Sequence, residues 1–148
     1  MGLVSIRGTL EVEVANNYAS ILNELKRFEV SKALLRKMIP VARRVLGDND
    51  RLTLKMRWTY AMALYKAESA TLDDIRAAVT TLEDAERTAR RVFGGAHPNT
   101  MGIEGSLRDA RAALRAREEA LARVGGVAIF AAAALALAAA YLARKKLT

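Results

Sequence analysis

The chain has 148 residues, two prolines and no cysteine, with hydrophobic types at 52% and aromatics at only 5%. That length fits one domain, or one small domain plus an anchor, and the missing thiols exclude cysteine nucleophiles, disulfides and thiolate metal sites. The net charge of +8 is dispersed: before Val124, 21 basic residues stand against 16 acidic ones. No basic run is interleaved with stacking aromatics, so a nucleic-acid interface is not expected.

Residues 1–11 read as an N-terminal segment. Its apolar stretches are short and broken by Arg7 and Glu11, which argues against a secretory signal. Ile6 occupies the position where a myristoylation signal on Gly2 needs Ser or Thr. Residues 12–123 read as a helical domain. The alternation from Thr9 to Ala15 fits a short strand, but it runs into NNYASILNEL, where Tyr18, Ile21, Leu22 and Leu25 share a helical face. A second helix, Glu29 to Leu46, points Leu34, Leu35, Met38, Ile39, Ala42 and Val45 inward. Pro40 is expected to kink or interrupt it. After the turn at Gly47–Asp50, a third helix runs from Thr53 to about Glu68, with Leu54, Trp58, Ala61, Leu64 and Tyr65 on one broad face. Thr71 and Asp74 make a capping box for a fourth helix, whose stripe is Leu72, Ile75, Val79, Leu82, Ala85, Ala89 and Val92. A second turn, Gly94–Asn99, puts Gly at the helix end and Asn99 or Thr100 at the start of the next. The fifth helix runs from about Thr100 to Arg123.

The chain repeats itself. ARRVLGDNDRLT (42–53) matches ARRVFGGAHPNT (89–100) at an offset of 47, and NYASIL (17–22) matches TYAMAL (59–64) at 42. Repeats of this length, each one helix pair, are the mark of a helical solenoid, because a single pair cannot bury its apolar face alone. These stretches, with the HPNT turn at His97, Pro98, Asn99 and Thr100, resemble the kinesin-light-chain type of tetratricopeptide (TPR) repeat over roughly residues 12–119. The first copy of the turn, Asp50–Thr53, lacks the His-Pro pair. The third unit offers only a first helix, with Arg108 in the place of Ala19 and Ala61, and is expected to cap the array. The resemblance implies a concave groove, lined by first helices, that binds peptides or partner proteins. Carried over by position, its candidate residues are Asn16, Asn17, Asn23, Arg57, Thr59 and Met62.

No catalytic, metal or cofactor constellation stands out. His97, the sole histidine, lies in a turn between Ala96 and Pro98, without the polar partner a general base needs. Asp73 and Asp74 are accounted for by the first turn of a helix. Glu118 and Glu119 sit on a solvated helix face with Arg115 and Arg117. Trp58 is assigned to packing between helix pairs, and Gly94-Gly95 lacks the Lys-Ser/Thr of a phosphate loop.

Residues 124–143, VGGVAIFAAAALALAAAYLA, contain no charge and no proline, and ten of the twenty are alanine. At 1.5 Å rise per residue, 20 residues cross the roughly 30 Å of bilayer hydrocarbon. Arg123 precedes the stretch and a short basic tail, 144–148, follows it, with Tyr141 near that edge. Small side chains let helices approach closely in lipid, so this helix suits packing against neighbouring transmembrane helices. Arg108, Arg111, Arg115, Arg117 and Arg123 favour the head on a cytosolic, stromal or matrix side. The lysines at 145 and 146 fit either a dilysine retrieval signal or a mitochondrial tail anchor. The layout is similar to that of the mitochondrial fission protein 1 family, although the HPNT turn and the missing further helix pair depart from it.

The expected fold is therefore all-α: a short TPR-like solenoid of helical hairpins, about five helices, followed by one transmembrane helix. The expected function is that of a non-enzymatic accessory subunit in a larger membrane complex, without cofactors. Its partners would be protein subunits and the lipid bilayer, in an organelle membrane that is mitochondrial, plastid or endoplasmic-reticulum. The alternative is a tail-anchored receptor that recruits soluble proteins to an organelle surface.

Overall fold

Two near-identical turns organise the computed structural model, which describes residues 2–145. In the first, Gly47 adopts φ 93° and its N–H donates to the Arg43 carbonyl; in the second, Gly94 adopts φ 87° and donates to Arg90. Both are backbone conformations that favour a residue without Cβ. Three residues after each glycine a side chain caps the next helix. Asp50 accepts from the Leu52 N–H at 2.7 Å, and His97 Nδ1 accepts from the Asn99 N–H at 3.1 Å. The 47-residue repeat is thus reproduced bond for bond, with histidine doing in one copy what aspartate does in the other. Thr53 and Thr100, equivalent by the same offset, are both fully buried.

The described residues form five helices: α1 (Gly2–Glu24), α2 (Phe28–Leu46), α3 (Arg51–Lys66), α4 (Leu72–Phe93) and α5 (Pro98–Lys145). They divide into two compact units, Met1–Leu114 and Arg115–Thr148. In the first unit consecutive helices pack as antiparallel hairpins. Val12, Ala15, Ala19, Leu35, Ala42 and Met56 form one core cluster. Leu54, Ala61, Leu64, Ala78, Leu82, Ala85, Ala89, Ile103, Leu107 and Ala110 form the second. The α3 helix serves both clusters, which is how a solenoid joins units too small to be stable alone. The fold class is the all-α hairpin array expected from the repeat.

Several elements differ in detail from the sequence expectation. The first helix begins at Gly2, not near Val12, and no strand interrupts it. Of the face Tyr18, Ile21, Leu22 and Leu25, only Leu22 is buried; the other three are at least half exposed. Small Ala15 and Ala19, with Val12, make the core face instead. Helix α2 runs through Pro40, which lies on the exposed side and withholds one N–H from the backbone ladder. Leu35 and Ala42 are buried there as expected. The α4 capping box is present in full: Thr71 Oγ1 accepts from the Asp74 N–H at 3.1 Å and Asp74 accepts from the Thr71 N–H at 3.0 Å. Val92, expected on the α4 stripe, is exposed, because the stripe leaves the core in the last turn. The fifth helix starts at Pro98, in the first helical position where its missing N–H costs nothing.

The second unit is the remainder of α5. Val124, Val127, Ile129, Phe130, Leu135, Leu137 and Leu142 are 59–79% exposed. The helix is long and apolar enough to cross a membrane within Pro98–Ala140. Residues 146–148 of the basic tail lie outside the described residues.

Candidate functional site

On α1, Thr9, Glu13, Asn16 and Asn17 recur at steps of four, three and one, so they line one strip of helix surface beside the core strip. Together with Leu46, Asp50, Arg51, Leu52 and Lys55 from the α2–α3 turn and α3, and Asn99 at the start of α5, they wall a cleft of about 320 Å³. The cleft therefore runs along the side of the array made by the first helix of each pair. Charges of both signs border it: Glu13 and Asp50 against Arg51 and Lys55. Asn16 is fully buried, and neither its amide oxygen nor its amide nitrogen has a hydrogen-bond partner. An amide left so inside a fold costs of the order of 1–3 kcal/mol.

The six groove candidates are not equivalent. Asn16 and Asn17 both line this cleft, Asn17 with an exposed side chain. Asn23, in contrast, spans two helices: its Nδ2 donates to the Thr59 carbonyl at 2.9 Å. Arg57 is 7% exposed and holds Asp84 at 2.8 Å, tying α3 to α4. Thr59 is also buried, its hydroxyl donating to the Lys55 carbonyl within the same helix. Met62 is half-buried on α3. Glu13, Arg51 and Lys55 line the cleft and were not picked out from the sequence. The signal for Glu13 was the polar strip Thr9–Glu13–Asn16/Asn17, visible only once α1 is extended upstream of Val12, whereas Arg51 and Lys55 come to the cleft from α3.

The remaining polar groups belong to packing. The Arg57 guanidinium, and after it Arg87, holds the Asp84 carboxyl below its ordinary value. Asp74 is lowered by the Thr71 backbone and then by its hydroxyl, and Glu29 by Lys32 and then Ser69. His97 stacks on Phe93 at 4.8 Å between ring centroids while capping α5. In the same turn, Pro98, Asn99 and Thr100 form the first turn of that helix. Trp58 donates from Nε1 to Ser106 Oγ at 2.7 Å and packs against the α3–α5 contact. Among the described residues, no group of three or more His, Cys, Asp or Glu side chains is placed to hold a metal ion.

No known protein family, curated protein or solved structure matches the chain.

Proposed function

We propose that the protein is a non-enzymatic accessory subunit of a membrane complex: a TPR-like head docks partner subunits and the apolar part of α5 spans the bilayer. The observation that carries this reading is the exposed stretch of α5, where large apolar side chains 59–79% accessible alternate with alanines. Lipid covers such side chains without cost, and the alanines admit a neighbouring helix. The cleft supports the docking half, because the exposed Asn17 and the mixed charges along it suit an extended segment of a partner protein. The arginines between 108 and 123 favour the head on the positive-inside face of an organelle membrane.

Extraction tests the proposal. Alkaline carbonate is expected to leave the protein in the membrane pellet, and mild detergent to release it within a stable larger assembly. Release by carbonate alone would sink the membrane reading. Recovery as a single species that captures soluble proteins reversibly would favour a tail-anchored receptor instead. Substituting Asn17→Ala in the cleft is expected to weaken the assembly without lowering thermal stability by more than about 0.5 kcal/mol, because Asn17 is a surface position.

A further inference from the structure

The array is open at one end and closed at the other. Helix α3 packs onto the first hairpin through Met56 and Tyr60, with Ala63 buried on the same helix face, and α5 packs onto the second through Ile103, Leu107 and Ala110, the same positions 47 residues on. On α1 the equivalent positions, 42 residues back, are Val14, Tyr18 and Ile21. They are 61%, 54% and 50% exposed, and Leu10 and Leu25 extend the stripe at 60% and 64%. Between this stripe and Leu34 and Met38 of α2 lies an apolar groove of about 480 Å³. The opposite end is finished differently. There the groove between α4 and α5 is lined by Glu83, Glu86, Arg87, Glu104, Arg108 and Arg111, with Arg111 bound to Glu83 at 2.8 Å and Arg90 to Glu104. A charged outer face is what keeps a terminal repeat soluble. Among the described residues the α1 end carries a single exposed ion pair on this face, Arg7–Glu11 at 2.9 Å, with Glu11 at the groove, and is otherwise apolar.

We propose that the α1–α2 face is the interface of a homodimer, in which the faces of two copies meet about a two-fold axis. Stacking head to tail would set the apolar stripe against the charged α4–α5 face and is disfavoured, whereas an isologous contact buries apolar surface from both copies. The rims match as well. Glu13 and Glu24 lie on the edge of the stripe away from α2, and Lys37 and Arg44 on the outer edge of α2, as helical spacing of 100° per residue places them. Among the described residues none of these four takes part in an ion pair. With the two-fold parallel to the helices, α1 of each copy lies over α2 of the other, antiparallel to it. The acidic edge of one copy then faces the basic edge of the other, with Glu13 nearest Lys37.

The test is the oligomeric state of the full chain in detergent, by light scattering over a dilution series. A dimer is expected. Tyr18→Lys, an exposed position, is expected to raise its dissociation constant about tenfold or more while leaving helical content unchanged. Glu13→Lys alone is expected to weaken the dimer, and Glu13→Lys combined with Lys37→Glu to restore it. A monomer at all concentrations overturns the proposal. So does an oligomer that tolerates Tyr18→Lys, which would assign association to another surface. If Tyr18→Lys disturbs the fold, the charge exchange decides: no weakening, or no rescue, overturns the assignment.

Discussion

The indole of Trp58 fills the space that a side chain on residue 102 would occupy. A Cβ there would fall 2.3 Å from Cη2 and 2.8 Å from Cζ2, so the glycine is what lets the ring close over α5 and bond Ser106. Gly102→Ala would ordinarily favour a helix by about 1 kcal/mol. Here it must displace a ring, at a cost of about 1–3 kcal/mol plus the Nε1 hydrogen bond. Net destabilisation of about 1–2 kcal/mol is expected by denaturant unfolding, with a shift in the emission of the sole tryptophan. Gly105→Ala is the control. Its Cβ would meet only the end of the Arg108 side chain at 3.8 Å, so it should stabilise by about 0.5–1 kcal/mol. Asp84 gives a second test at this scale. Asp84→Asn leaves the buried Arg57 without its charged partner and should cost about 1.5 kcal/mol, the low end for a charged hydrogen bond because Asp84 is itself half exposed. Since the folded state holds Asp84 and Asp74 below the ordinary 3.8, their contribution is present above that value and is lost as pH falls through the depressed ones. Unfolding free energy should therefore drop below about pH 4, less steeply in Asp84→Asn.

At the scale of elements, caps and turns carried the legible information. The Thr71–Asp74 box set the start of α4 and is present in both directions, so Thr71→Ala should lower stability by about 1 kcal/mol, measured by thermal unfolding. Gly47 and Gly94 marked two turns because only residues tolerant of positive φ end a helix there. The α1–α2 turn was harder to place, since the residue it holds at φ 58° is Lys26, which carries no turn signature. Helix α1 was misread on its faces for a related reason. It carries two apolar strips, and the one with larger side chains, Tyr18, Ile21 and Leu25, faces outward while alanines face in. Periodicity identifies a helix but weighs side-chain size, and close helix packing here is served by small residues. The groove candidates divide on the same physics. Position in a repeat brought Asn17 to the cleft with its side chain exposed, whereas Asn16 beside it is buried, as are Arg57 and Thr59 on α3, which is packed on both sides.

For the whole molecule, the decisive quantity is what drives the apolar stretch of α5 into a membrane. Its twenty residues include ten alanines, so few strongly apolar side chains drive insertion, and they are the exposed ones from Val124 to Leu142. A charged residue at the centre of a spanning helix costs about 2.5–3.5 kcal/mol on the insertion scale. A leucine-rich span absorbs that; one made half of alanine has little surplus to offset it. Ala134→Arg, at the midpoint of residues 124–143, is therefore expected to move a large fraction of the protein from the carbonate-resistant pellet to the supernatant. The same substitution at Ala122, beside Arg123 at the edge, should leave it in the pellet, because an arginine there reaches the interface. Helical content should be retained in both variants, since arginine is a good helix former. Equal fractionation of Ala134→Arg and Ala122→Arg would mean that protein, not lipid, covers this helix.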